Sequence, residues 1–336
     1  MQRRLSDYLF ITLKGIAMGA ADAVPGVSGG TIAFISGIYE ELINTISGVN
    51  LSLFNTLRKN GLAAFWTQLN GNFLVALLSG ILISFVSFMR LAKYLIEQHP
   101  VLIWSFFFGL IVASIVFVAK QIERWNFGIV VALIMGTLAA YYITTLPSLA
   151  NNDSSLFLFF AGAIAICAMI LPGISGSFIL VVLGAYKTLS DALHAFDFKR
   201  IFIFALGALI GILSFSHVLK WLFKHYKNLT LAILTGFIFG SLNKIWPWKE
   251  TITVIEKTSG EVSPISKFTD IGTVEVYQRQ TNDFETIKMV SEKSVSPFYY
   301  SSINHGIDPE IAFAIGLMVV GFLTIFILEK IGSKYQ

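Results

Sequence analysis

Chemistry-bearing side chains are scarce in this chain. It holds one cysteine, five histidines, and 24 basic and 20 acidic residues among 336, so only 13% of positions are charged. The lone Cys167 lies in an apolar run and cannot form an internal disulfide, which leaves the redox compartment unread. There is no Walker-type phosphate loop, no metal-ligand cluster of His, Cys and carboxylates, and no supportable serine–histidine–aspartate arrangement. These absences argue against an ATP-driven pump and a conventional hydrolase, and the chain is read as a non-enzyme with no cofactor. The net charge of +4 is modest. Its basic residues flank apolar runs, where they set orientation in a bilayer, so no nucleic-acid surface is expected. The apolar run after Arg3 and Arg4 is cut short by Lys14, which reads as a retained first segment and not a cleaved signal peptide.

Apolar sequence fills the space that charge leaves: 55% of residues are hydrophobic. Runs of spanning length occupy 73–89, 101–119, 126–152, 201–219 and 311–328, with a shorter one at 229–246 that carries Lys244. The chain reads as an all-α polytopic membrane protein.

One short pattern appears twice inside this apolar sequence. Pro25-Gly26-Val27-Ser28-Gly29-Gly30-Thr31 is followed by Gly37 and Tyr39, and Pro172-Gly173-Ile174-Ser175-Gly176-Ser177-Phe178 by Gly184 and Tyr186. The copies align without a gap, 147 residues apart. Proline removes a helix donor and glycine relaxes the backbone, so each copy predicts a broken helix. Backbone groups freed at membrane depth are tolerated only within protein or around a water-filled cavity. Paired breaks in corresponding halves are a pointer to a transporter's substrate site.

The duplication extends further. Gly80-Ile81-Leu82 matches Gly211-Ile212-Leu213 at an offset of 131, as do Lys93 and Lys224, Phe106 and Phe237, and Gly109 and Gly240. A longer loop in the first half, roughly 48–72, accounts for the change of offset. Residues 154–186 carry no formal charge and would run about 50 Å as one helix, against a hydrocarbon core of about 30 Å. Two half-helices in a re-entrant hairpin fit better, and 9–46 reads the same way. If both hairpins return to the side from which they start, each repeat has three true spans, and the odd number inverts the second repeat. The positive-inside count agrees and places both termini in the cytoplasm. The expected organisation is a membrane repeat at 1–147 (hairpin about 9–46, spans about 73–147) and a second at 154–248 with 306–336 (hairpin about 155–189). An extramembranous insert occupies 249–305. It is polar, with β-like runs at 251–255 and 273–277 and turn signals at Ser259-Gly260 and Ser263-Pro264, and is expected to play no direct role.

A helix restarting near Ser28 or Ser175 presents unpartnered N–H groups and the positive end of its dipole, which suits a phosphate or carboxylate. Gly26, Ser28, Gly29, Gly30, Thr31, Gly173, Ser175, Gly176 and Ser177 are the candidate anion-binding residues. Tight helix crossing through small residues is the alternative. Asp22 lies at bilayer depth, where a carboxylate costs roughly 2.5–3.5 kcal/mol on insertion scales. It reads equally as an H⁺ or Na⁺ site and as a cap for the loop donors, with Glu40 the second ion-coupling candidate. Arg90, Lys93, Lys187 and Arg200 lie on the expected outer side and are candidates for capturing a phosphate headgroup, with snorkelling anchors as the alternative.

The stretch from Gly19 through Asp22 to Thr31, followed by Gly37-Ile38-Tyr39-Glu40, resembles the signature of the PopT-type bacterial polyprenyl-phosphate transporter family, formerly a domain of unknown function. Leu171 to Ser177, with Gly184 and Tyr186, resembles its second half, and Trp246-Pro247-Trp248 is also similar. The resemblance implies flippase-type transport of undecaprenyl phosphate, the lipid carrier of cell-wall sugars, from the outer to the cytoplasmic leaflet of the bacterial inner membrane. Moving that anion inward against a negative-inside potential costs about 2.3 kcal/mol per charge per 100 mV, so either concentration drive or an accompanying H⁺ or Na⁺ is expected. A small-anion channel or exchanger, and a polyprenyl-diphosphate phosphatase, remain alternatives. The oligomeric state is unread.

Overall fold

The computed structural model of the chain describes residues 3–22, 28–146, 154–256, 262–284 and 286–333. In chain order the first seven helices are α1 (Leu5–Asp22), α2 (Gly29–Ile35), α3 (Tyr39–Ser47), α4 (Leu51–Gln68), α5 (Gly71–Gln98), α6 (Pro100–Lys120) and α7 (Phe127–Thr145). Next come α8 (Ser155–Ile170), α9 (Gly176–Val182), α10 (Tyr186–His194), α11 (Phe198–His225) and α12 (Lys227–Gly240). A polar region follows with β1 (Lys249–Glu256), β2 (Val262–Pro264), α13 (Val274–Thr281), β3 (Ile287–Ser294) and α14 (Pro297–Ile303), before α15 (Ile311–Ser333).

The duplicated sequence yields duplicated elements. α2 and α9 are seven residues each, α3 and α10 nine, and α5 and α11 twenty-eight. Gly37 and Gly184 end the short helices at φ 74° and 72°, a left-handed turn that glycine adopts without a Cβ penalty.

Among the described residues, four segments are long and apolar enough to cross a bilayer: α6, α7, α11, and α12 with its 3₁₀ extension to Ile245. The expected 73–89 span falls in α5, which joins α4 at a 49° bend. α8, at 16 residues, is about 24 Å long, short of a full crossing. The chain is thus a multi-pass membrane protein. The expected loop at 48–72 is instead mostly helix. Asn50 caps α4 by accepting from the N–H groups of Ser52 and Leu53, and Gly61 kinks it at φ 80°.

The matched glycines do matched work at helix crossings. Gly15 on α1 faces the Leu77 carbonyl of α5, and its counterpart Gly162 on α8 faces the Phe204 carbonyl of α11. Gly80 faces Thr12, and its counterpart Gly211 faces Ala163. In each case a backbone carbonyl stands where a Cβ would project, so two backbones approach through small residues. Gly109 of α6 packs on Met318 of α15, while its match Gly240 of α12 packs on Thr137 of α7. Each half therefore pairs its glycine-bearing helix with the last helix of the other half.

Two compact units result. One comprises 1–89, 114–241 and 328–336, and the other 90–113 and 242–327. Within the second, an antiparallel sheet of order β2-β1-β3 encloses Val254, Ile265, Val274 and Ile287. Trp248 packs with Val101, Val276, Tyr300 and Ala314, and its indole N–H donates to the Pro309 carbonyl at 2.8 Å. Thr251–Ile255 is strand, as its β-branched residues require. Residues 273–277, read as β-like, instead open α13: Val274 and Val276 are buried, and tertiary packing overrides their strand preference. Ser263-Pro264, read as a turn, ends β2, while Ser259-Gly260 lies outside the described residues.

Candidate functional site

The second break is fully described. α8 stops at Ile170, Leu171 turns extended (φ −68°, ψ 129°), and Pro172 has no N–H to continue the helix. Gly173 takes φ 85°, and a Cβ there would stand 2.8 Å from the Ile238 Cα, so conformation and space both demand glycine. α9 restarts at Gly176, where a Cβ would come 2.7 Å from the Ala165 carbonyl oxygen. At the first break α1 ends at Asp22 and α2 restarts at Gly29. Residues 23–27, Gly26 among them, lie outside the described residues.

The start of α2 is already satisfied from within the chain. Asp22 Oδ1 accepts from the Gly29 N–H at 2.7 Å. Ser28 Oγ accepts from the Gly30 N–H at 3.2 Å, and the Ser28 carbonyl from the Thr31 N–H at 3.0 Å. A carboxylate against a helix N-terminus is a favourable charge–dipole arrangement. This bond is the one a cap would make.

The two breaks also interlock. The Ser28 hydroxyl lies 3.4 Å from the Leu171 carbonyl and 3.5 Å from that of Met169. Thr31 Oγ1 accepts from the Gly173 N–H at 3.0 Å, and the Tyr39 hydroxyl donates to the Ile170 carbonyl at 3.2 Å. A Cβ on Gly30 would stand 2.7 Å from that same carbonyl. Ser28, Thr31 and Tyr39 are all buried. Side chains of the first motif thus serve the backbone groups that the second break frees. Tyr39 was visible in the sequence as part of the motif, but no role followed from it. Its match Tyr186 is half-exposed, so the interlock is not reciprocal.

The segments around the first break are further tied down by charge. Arg3 pairs bidentately with Glu41 at 2.6 and 2.7 Å, Asn70 donates to Glu41 at 2.8 Å, and Lys14 donates to the Ser36 carbonyl at 2.7 Å.

Other candidates lie apart from the interlock. Glu40 is exposed beside a cleft formed by α3 and the end of α11. Arg200 pairs with Asp197 at 3.4 Å, and both are partly exposed. Ser175 is half-buried. The side chains of Arg90, Lys93, Ser177 and Lys187 lie outside the described set. Among the described residues, no three His, Cys, Asp or Glu side chains are grouped to hold a metal ion.

Comparison with known proteins gives this architecture a family. The model of the VCA0040-like family, described as undecaprenyl phosphate translocase-like, matches residues 18–263, which include both motifs. A polyprenyl-phosphate transporter of Vibrio cholerae is 45% identical over 294 residues, covering 88% of this chain and 92% of that protein. A polyprenyl-phosphate transporter of Staphylococcus aureus is 34% identical over 262 residues, covering 72% and 88%. No solved structure matches. The chain belongs to the undecaprenyl phosphate translocase-like family of membrane proteins.

Proposed function

We propose that this protein carries polyprenyl phosphate, with undecaprenyl phosphate the expected lipid, from the outer to the cytoplasmic leaflet of a bacterial inner membrane. The observation that carries the reading is the pair of interlocked helix breaks, Ser28, Thr31 and Tyr39 against 169–173, in a chain whose relatives are named for this substrate. In this reading the two halves are inverted repeats, each with a re-entrant hairpin, and both termini are cytoplasmic. The helix starts at 28–31 and 173–177 receive the phosphate while the prenyl tail stays in lipid. Because the described donors at the α2 start are bonded within the chain, the lipid headgroup must displace those partners, and the interlock opens as it passes. H⁺ or Na⁺ accompanies the anion, with Asp22 or Glu40 as carrier.

The test is protein-dependent movement of a labelled polyprenyl phosphate between leaflets of proteoliposomes, run beside a chloride-flux assay. Lipid movement without chloride conductance supports the proposal. Chloride conductance without lipid movement makes the protein an anion channel and overturns it.

A further inference from the structure

α3 and the end of α11 enclose a cleft of about 260 Å³, lined by Glu40, Ile43, Asn44, Lys220, Phe223, Lys224 and the first residue of α12, Lys227. Three ammonium groups face one carboxylate. Lys220 and Lys224 are one helical turn apart, which puts them on the same face of α11. Among the described residues neither has an ion-pair partner. Lys227 reaches Glu123 at 3.7 Å, but both side chains are at least half-exposed, so water and salt weaken that pair. The floor is apolar: Ile43 is buried, and the Phe223 ring packs on Tyr39 and Phe34 at centroid distances of 5.9 and 6.4 Å.

We propose that this cleft is a second binding site, for a phosphate monoester. A phosphomonoester carries a charge between −1 and −2 near neutral pH, which matches the excess of ammonium over carboxylate. Lysines act as point charges towards phosphate, and Asn44 adds an amide donor. The volume is below the roughly 300–1,000 Å³ of drug-sized ligand pockets, so it admits a headgroup and excludes a prenyl chain. Plain membrane-surface anchors would not be gathered around a concavity with an aromatic floor. Phe223 contacts Tyr39, whose hydroxyl holds the Ile170 carbonyl, so the cleft lies one side chain from the interlocked breaks. The site rests on the transport reading only for its lipid ligand; phosphate binding stands without it.

The experiment uses the full-length protein in detergent, titrated in one arm with inorganic phosphate and in the other with a short-chain polyprenyl phosphate. The variants are K220Q/K224Q and the charge-preserving K220R/K224R. The expected result is affinity at least roughly tenfold weaker in the glutamine variant and largely restored in the arginine variant, with wild-type binding falling as salt rises. Loss in the lipid arm assigns the site to the headgroup, and loss in the phosphate arm alone assigns it to free phosphate. Unchanged affinity in both arms, with all variants melting like wild type, overturns the proposal. Proteoliposomes that move no lipid while the lysine-dependent affinity persists would fault the transport reading and leave this site standing.

Discussion

Asp22 offers the sharpest test of how the first motif works, because its two candidate roles respond differently to charge. The carboxylate accepts a 2.7 Å bond from the buried Gly29 N–H at the start of α2. Asp22→Asn keeps an acceptor oxygen and loses the charge. Charge-assisted bonds contribute roughly 1.5–3 kcal/mol and neutral ones about 0.5–1.5, so the cost is about 1 kcal/mol. Asp22→Ala leaves the N–H unpartnered, at about 1–3 kcal/mol, and also removes the favourable interaction with the helix dipole. The cap therefore predicts stability in the order wild type, Asn, Ala, read by thermal unfolding in mild detergent through tryptophan fluorescence. Transport in proteoliposomes should follow the same order and keep its response to pH and voltage in the Asn variant. An Ala variant as stable as wild type would refute the cap. An Asn variant of nearly normal stability that no longer responds to pH or voltage would show that the charge couples an ion.

Three further outcomes follow from the packing. Gly109→Val and Gly240→Val should each destabilise by about 1–3 kcal/mol or more, since the carbonyls of Met318 and Thr137 fill the space; if either variant melts like wild type, the close crossing is wrong. Tyr39→Phe keeps the ring contacts with Phe34 and Phe223 and loses the bond to the Ile170 carbonyl, a cost of about 1 kcal/mol by unfolding; no loss would mean the interlock contributes nothing there. In the insert, burial and then the charge of Glu292 push the Glu275 carboxyl from its ordinary 4.5 up to about 7, while burial lowers Lys249 despite its 3.3 Å pair with Glu292. A raised acid holds its proton longer when folded, so the stability from Glu275 is full below about 4.5 and is lost as pH rises through about 7. Glu275→Gln should flatten that slope in unfolding curves; an unchanged slope would put its origin elsewhere.

Legibility in the sequence followed the range of the forces involved. Pro172 and Gly173 act on their own backbone, so the break between α8 and α9, and its counterpart before α2, could be read directly. The Gly109–Gly240 match was legible as a repeat, but its meaning was not: each glycine meets a helix from the other half, a pairing set by tertiary packing. Val274 and Val276 alternate like a strand, but in α13 they are buried in different clusters, Val274 with Val254 and Ile287, Val276 with Trp248 and Tyr300. Asp22 could be narrowed to two roles, and its bond to the Gly29 N–H, a contact across the break, was not legible in the sequence. The lysine cleft was invisible because α3 and α11 are far apart in the chain. The glycines themselves carry a warning for mutagenesis. Valine at Gly29 meets the Asp22 carboxylate and valine at Gly176 the Ala165 carbonyl, so such variants report on packing before they report on ligand.

The most direct test of the central claim is photo-crosslinking in proteoliposomes, with a polyprenyl phosphate that carries a diazirine next to the phosphate. Adducts would be mapped by peptide mass spectrometry and competed with unlabelled lipid. The account predicts competed labelling within 28–39 and 170–178, the two sides of the interlock. Competed labelling confined to the polar insert at 249–305, or none that unlabelled lipid removes, would contradict it.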